Sequence, residues 1–316
     1  MAQTLQDQIR QAVDEFGQEC ADLRFMPESR YDRSVWPTLG QFDWLCGQLL
    51  YVLIRARKPK RIVEVSTSSG YSAVYMGLAL KRNGHGVLDT FELDPAPAAA
   101  AAVNFKRFNV DAQVRLHVGD ARVLVAADPT LAEAELLFLD SLHTSEFMLW
   151  FMDALVSKAP ADALFHVHDT LPWSARLRRE GTPGRGLILD LKRRIYDRFI
   201  GGIPASERVW PKVKAPRAPG ELACYAPNET LEAVLVNELA ARMGAGENAF
   251  IYDMAAELPQ LEPRRYDAMV KGREDSHGKP YEWNESWWSL VGPARDALAR
   301  WRADGRPLRA DGPEQA

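Results

Sequence analysis

Residues 62–76 read IVEVSTSSGYSAVYM. A β-branched run carrying one acid, Glu64, breaks into small polar residues, passes a single glycine, Gly70, and turns into a helical pattern. Strand, turn and helix in that order put small side chains where a backbone passes close to a ligand. The helix that follows opens with free N–H groups, which favour a negative group. The stretch has neither the GxGxxG of dinucleotide folds nor the GK[ST] of triphosphate loops, which disfavours an NAD or ATP site.

Outward from this turn, short apolar runs alternate with helical stretches from residue 61 to about 226. The predicted strands are RIVEVS (61–66), GVLDTFEL (86–93), VRLHVG (114–119), AELLFLD (134–140) and DALFHVHD (162–169). RVWPKV (208–213) and ELACYAP (221–227) form a predicted closing pair, joined through the Pro-rich PKVKAPRAPGE. Helices are predicted over AVYMGLALKRN, PAPAAAAAVNFKRF, ARVLVAAD, EFMLWFMDALVSKA and RGLILDLKRRIYDRF. Strands apolar on both faces and separated by helices are the pattern of a parallel sheet wrapped by helices. The fold class is α/β: a Rossmann-like, seven-stranded, mostly parallel sheet with helices on both faces and an antiparallel pair at its edge.

Three segments follow. Residues 1–58 read as an N-terminal helical cover, 59–227 as the sheet domain, and 228–316 as a mainly helical, Trp-rich C-terminal extension. The cover holds QDQIRQAVDEFGQE and LGQFDWLCGQLLYVLIRARK, the second ending in basic residues that suit the negative end of a helix dipole. In the extension, TLEAVLVNELAARMG and SWWSLVGPARDALARWRA read as helices, and KGREDSHGKPYEWNESWW between them as a loop. Its aromatics, Tyr281, Trp283, Trp287 and Trp288, either staple the extension to the domain or line a pocket or a homodimer contact.

The composition, 47% hydrophobic and 26% charged over 316 residues, is that of a soluble globular chain with a sizeable core. A formal net charge of -4 gives no basic surface for nucleic acid or membrane, so a small-molecule or peptide partner is expected. MAQTLQDQIRQAVDEF has no signal-like apolar core and no stretch approaches a membrane span, so a cytoplasmic location is expected. Cys20, Cys46 and Cys224 are too few and too scattered for a disulfide framework.

Ligands of an open parallel sheet bind beyond the carboxyl ends of its strands. Glu92 closes the second strand, where a carboxylate can accept both hydroxyls of a ribose or simply be solvated. Gly119 and Asp120 end the third, as an acceptor for an adenine amino group or as an ordinary turn pair. Asp140 and Asp169 end neighbouring strands and can share a magnesium ion, which prefers oxygen ligands. His143 follows Asp140 by three residues and is either a general base or a packed or capping residue. Alternation sends His166 and His168 to the face opposite Phe165, Val167 and Asp169; one or both read as structural groups hydrogen-bonded under the helices, with His168 alternatively a metal ligand or a group supporting one.

RIVEVSTSSGYSAV, FELDP and VGDAR, in that order and spacing, resemble the S-adenosyl-L-methionine site of class I methyltransferases. GYSAV and LGQFDWL resemble the cation-dependent O-methyltransferases that act on catechols and caffeoyl-coenzyme A, and DSLHT followed by HDT resembles a looser bacterial methyltransferase and cephalosporin-hydroxylase-like group. The resemblance spans residues 36–226. It implies that Glu64 and Ser72 face the methionine amino and carboxylate groups, Gly70 permits the close turn, Glu92 holds the ribose and Asp120 the adenine. It also implies metal ligands at Asp140, Asp169 and Thr170, and a catalytic base at His143, where the family carries lysine. Two positions depart from the family. Thr170 replaces an Asn or Asp, and Ser66 replaces a glycine, so that its side chain either donates to the cofactor carboxylate or crowds the site. The expected activity is S-adenosylmethionine-dependent O-methylation of a small-molecule or natural-product hydroxyl. The alternatives are a metal-independent N- or O-methyltransferase and a non-catalytic cofactor-binding scaffold.

Overall fold

The computed structural model describes residues 4–23, 25–29, 32–38, 42, 44–142, 144–168, 232–244, 246–253 and 284–305. Its elements run α1 (Leu5–Phe16), α2 (Phe25–Ser29), α3 (Trp44–Arg57), β1 (Arg61–Val65), α4 (Tyr71–Asn83), β2 (Val87–Glu92) and α5 (Pro95–Arg107). They continue with β3 (Val114–Val118), α6 (Ala121–Ala127), β4 (Leu136–Leu139), α7 (Ser145–Phe151) and β5 (Leu164–Val167). α8 (Glu232–Ala240), β6 (Asn248–Asp253), β7 (Asn284–Leu290) and α9 (Val291–Ala303) complete the described chain.

The strands form one seven-stranded sheet in the order β3-β2-β1-β4-β5-β7-β6. β1 to β5 pair in parallel, and β7 runs antiparallel to both β5 and β6. Each central strand is apolar on both faces because helices cover both. Ile62, Leu136, Phe138 and Leu164 pack with α1, α3 and α4. Val63, Val65, Leu137, Leu139, Phe165 and Val167 pack with α6, α7, α8 and α9 on the other side.

The sheet, its parallel majority and its antiparallel edge match the sequence reading, but its last two strands come from a different part of the chain. They lie at 248–253 and 284–290, inside the segment expected to be a mainly helical extension. The segments 208–213 and 221–227 fall outside the described residues. The misread stretch is NESWWSL. Trp287 opposes Val167 and Trp288 opposes His166, so adjacent tryptophans enter opposite cores, each fully buried. An aromatic pair running straight into α9 without a turn signal looks helical, yet two consecutive buried side chains on opposite faces are what a doubly covered strand requires. Burying 150–250 Å² per tryptophan is worth about 4–6 kcal/mol each as an upper estimate.

The N-terminal helices belong to the core. α1 is started by a reciprocal cap, in which Thr4 Oγ1 accepts from the Asp7 N–H and the Asp7 carboxylate accepts from Thr4. Its Leu5, Ile9 and Val13 are buried in the same cluster as Trp288, and the Leu5 N–H donates to Gly246 O at 2.9 Å.

Four helices start at the carboxyl edge of the sheet, each by a local signal. Gly70 precedes α4, Asp94 caps α5 with Pro95 in its first turn, Asp120 caps α6 and Thr144 caps α7. Their first turns, with backbone N–H groups pointing outward, frame one edge of the molecule.

Candidate functional site

Strand order reverses at β1, which has β2 on one side and β4 on the other, so the crevice at its carboxyl end is where such a sheet takes a ligand. A cavity of about 330 Å³ lies there, lined among others by Ser66, Glu92, Gly119, Asp120 and Asp140. That is within the range of small-molecule sites.

The turn from β1 to α4 is bent tightly against β2. The N–H groups of Ser66 and Thr67 both donate to Phe91 O, at 3.1 and 3.0 Å, and that of Gly70 donates to Thr67 O at 2.8 Å. Three residues take left-handed backbone: Ser66 (φ 85), Ser68 (φ 50) and Gly70 (φ 87). At Gly70 a Cβ would also meet Phe105 Cε1 at 2.7 Å, so glycine is needed on both counts. At Ser66 the same conformation costs about 1–2 kcal/mol relative to glycine.

Beneath the turn lies a closed hydrogen-bond network. Ser72 Oγ and Thr90 Oγ1 donate to the two oxygens of Glu64, each at 2.5 Å, and Thr90 Oγ1 is 2.6 Å from Thr67 Oγ1. Glu64 is fully buried. Burial pushes its carboxyl up to about 8; the two hydroxyl donors oppose this in part, while the nearby charges of Asp140 and Glu92 add to it. At neutral pH the group is therefore protonated. Thr90, which sequence reading passed over, is the residue directly opposite Glu64 in the β1–β2 register, and strand pairing would have found it.

Glu92 is held from both sides, its oxygens accepting from the N–H groups of Ser68 at 2.6 Å and Asp94 at 3.0 Å. Asp120 accepts from the Arg122 N–H at 2.8 Å and pairs with the Arg122 guanidinium at 2.8 Å. That side chain holds its carboxyl below the ordinary value. Arg122 was not anticipated. Asp140 is anchored through its N–H to Val65 O at 3.1 Å, and it lines the cavity.

Ser66, Glu92, Asp120 and Asp140 thus share one cavity. Glu64 and Ser72 sit buried beside it, bonded to one another, and Gly70 heads the helix. His143, Asp169 and Thr170 lie outside the described residues. Among the described residues no group of three or more metal-ligating side chains comes together.

His166 on β5 and His168 just after it share a face, as alternation required, with their rings 5.8 Å apart. His168 Nδ1 is 3.0 Å from Ser286 Oγ. His166 departs from expectation: it is fully buried, and neither ring nitrogen has a partner among the described residues. It stacks on Phe138 at 4.4 Å and is flanked by Trp288 at 4.5 Å and Phe42 at 5.5 Å. The cage is aromatic on the sides where hydrogen-bond partners were expected.

A crevice at the reversal of a parallel sheet, with one acid at the end of each flanking strand, is where a sheet of this kind takes its ligand. Residues 63–170 match a family described as a methyltransferase domain. A catechol O-methyltransferase from Niastella koreensis is 34% identical over 149 residues, which are 47% of this chain and 55% of that protein. The chain thus spans about half the length of that curated relative. Among solved structures, an O-methyltransferase of tomaymycin synthesis from Streptomyces achromogenes is 17% identical, covering 84% of this chain and 89% of that one at a TM-score of 0.44. An O-methyltransferase from Bacillus cereus is 12% identical, covering 90% of each chain at a TM-score of 0.41.

Proposed function

We propose that the protein is an S-adenosylmethionine-dependent methyltransferase acting on an oxygen of a small-molecule acceptor. The observation that carries the reading is the cavity at the end of β1, where Glu92, Asp120 and Asp140, at the ends of β2, β3 and β4, meet the tight turn that Gly70 permits. The match of residues 63–170 to a methyltransferase domain supports the reaction class. The likeness to a catechol O-methyltransferase supports oxygen as acceptor.

The residues present fit the cofactor. Glu92 and Asp120, in the cavity wall, can receive the ribose hydroxyls and the adenine amino group, and Glu64, buried beside the cavity, would give up its proton to receive the ammonium of the methionine tail. S-adenosylmethionine supplies, when bound, a methyl group on a sulfonium that is its own leaving group. What remains for the protein is to hold an acceptor in line, exclude water and take a proton, a contribution of proximity more than of covalent chemistry. His143 is the proposed base. Asp140, Asp169 and Thr170 would hold a magnesium ion, which would make the acceptor hydroxyl more acidic. With this reading go a small-molecule or peptide acceptor, a cytoplasmic location and a homodimer, the last open to test by light scattering. Among the described residues no helix is long and apolar enough to cross a membrane.

Calorimetry with S-adenosylmethionine and S-adenosylhomocysteine tests the core of the proposal. Micromolar binding of either is expected, and binding of neither would leave only a scaffold. Chelation tests the metal: lost turnover is expected if Asp140 and Asp169 hold one, and retained turnover would favour the metal-independent enzyme.

A further inference from the structure

The stretch Ser66–Ser72 carries six side-chain hydroxyls, and five of them are engaged inside the protein. Thr67 Oγ1 pairs with Thr90, Ser68 Oγ with Thr38 at 2.8 Å, Ser69 Oγ accepts from Thr38 at 2.7 Å, and Tyr71 donates to Met26 O at 3.2 Å. Ser72 donates to Glu64. The sixth, Ser66 Oγ, has no partner among the described residues, and Ser66 lines the cavity.

Two further facts bear on that hydroxyl. Ser66 sits at φ 85, where a glycine would be unstrained, so its side chain is retained against the preference of the backbone. The backbone donors nearby are also engaged: the N–H groups of Ser66, Thr67 and Gly70 bond to carbonyls, and that of Ser68 bonds to Glu92. Elsewhere the cavity wall carries the acids Glu92, Asp120 and Asp140, with the Arg122 guanidinium taken up by Asp120 and the Ser141 hydroxyl beside Asp140 on the β4 side. An anionic ligand group arriving at this turn needs donors, and beside the first-turn N–H groups of α4 the Ser66 hydroxyl is the side-chain donor that the turn keeps for it.

Resting on the methyltransferase reading, we infer that Ser66 is a ligand-contacting residue whose hydroxyl donates to the carboxylate of the cofactor's methionine tail. It decides affinity for that tail and leaves recognition of the nucleoside half to Glu92 and Asp120.

Two variants and two ligands test this. Ser66→Ala keeps the Cβ and its strain and removes only the hydroxyl; Ser66→Gly removes both. Calorimetry with S-adenosylhomocysteine, which has the carboxylate, is compared with 5′-methylthioadenosine, which lacks it. Ser66→Ala should bind S-adenosylhomocysteine about tenfold more weakly and 5′-methylthioadenosine within about twofold of wild type. Ser66→Gly should unfold at a higher temperature than wild type when unliganded and still bind S-adenosylhomocysteine more weakly. Unchanged or tighter binding of S-adenosylhomocysteine by either variant overturns the inference, as does an equal loss for both ligands. Failure of the wild-type protein to bind S-adenosylhomocysteine is a different result: it overturns the methyltransferase reading, and this assignment with it.

Discussion

Glu64 on β1 and Asp89 on β2 are both buried carboxylates, one step out of register on adjacent paired strands, with Asp89 opposite Val63 and Glu64 opposite Thr90. The chain surrounds them differently. Asp89 receives Arg61 Nε at 3.0 Å and His117 Nε2 at 2.9 Å. Burial alone would raise its carboxyl, but the His117 hydrogen bond and the Arg61 charge outweigh it and hold the group below its ordinary 3.8. Glu64 receives hydroxyls only, and burial lifts it to about 8. A carboxylate meant to stabilise the fold is given its counter-charge by the fold. Glu64 has neutral donors only and lies close enough to the cavity acids Asp140 and Glu92 to feel their charge, which is why the proposed function gives it the ligand's ammonium.

The difference is broken most forcefully on the Asp89 side. Asp89→Ala leaves Arg61, only 18% exposed at its side chain, without its carboxylate. Loss of one partner of such a pair should cost about 3 kcal/mol in urea unfolding at pH 7. Affinity for S-adenosylhomocysteine should stay within about twofold, because Asp89 is satisfied by Arg61 and His117 and, unlike Glu64, is not coupled to the cavity acids Asp140 and Glu92. A stable variant with impaired binding would erase the distinction between the two acids.

Glu64→Gln probes the other side, with a smaller effect that depends on pH. Because the folded-state value, about 8, lies above the ordinary 4.5, the folded protein holds a proton that the unfolded chain releases. The stability this contributes is complete below pH 4.5 and is lost as pH rises through about 8. Glutamine carries no such proton, so the variant should lose this decline and be the more stable of the two at pH 8.5. It should also bind S-adenosylhomocysteine about tenfold more weakly, for want of a carboxylate opposite the ammonium. Wild-type binding at pH 7 should release a proton, seen as a buffer-dependent enthalpy that Glu64→Gln abolishes. Buffer-independent binding by wild type would show that Glu64 does not meet the ligand's charge.

How much of this could be read beforehand follows the range of the interactions. The turn after β1, the acids at strand ends and the parallel core are local patterns, and GYSAV, FELDP and VGDAR mark them in sequence. The strand at 284–290 was missed because its partner, β5, lies more than a hundred residues earlier, and nothing within NESWWSL says that a second helix layer will cover its far side. The protonation of Glu64 was equally hidden. It depends on which neighbours enter the same desolvated volume, Thr90 by register and Ser72 from the first turn of α4. Ser66 was visible as a departure from glycine, but that its hydroxyl is left over while five neighbouring hydroxyls are engaged is something only packing reveals.

His166 is a third kind of buried titratable group, with neither an internal counter-charge nor a place at the cavity, and it gives the smallest effect. Burial, and after it the neighbouring His168, holds its ring well below the ordinary 6.5, so it is neutral in the folded protein. The unfolded chain takes up a proton near 6.5 that the folded chain refuses. Stability should therefore be unaffected by this residue above that pH and should fall as the solution is acidified below it. His166→Phe removes two polar nitrogens from an aromatic cage formed with Phe138, Trp288 and Phe42. At pH 7.5 the change should lie within about 1 kcal/mol of wild type, since the relieved polar burial is offset by a slightly larger ring in a packed core. Between pH 6.5 and 5 the variant should lose less stability than wild type in urea unfolding. Parallel pH profiles would mean that His166 finds a proton acceptor or water in solution, and would place it with Asp89 among the internally satisfied groups.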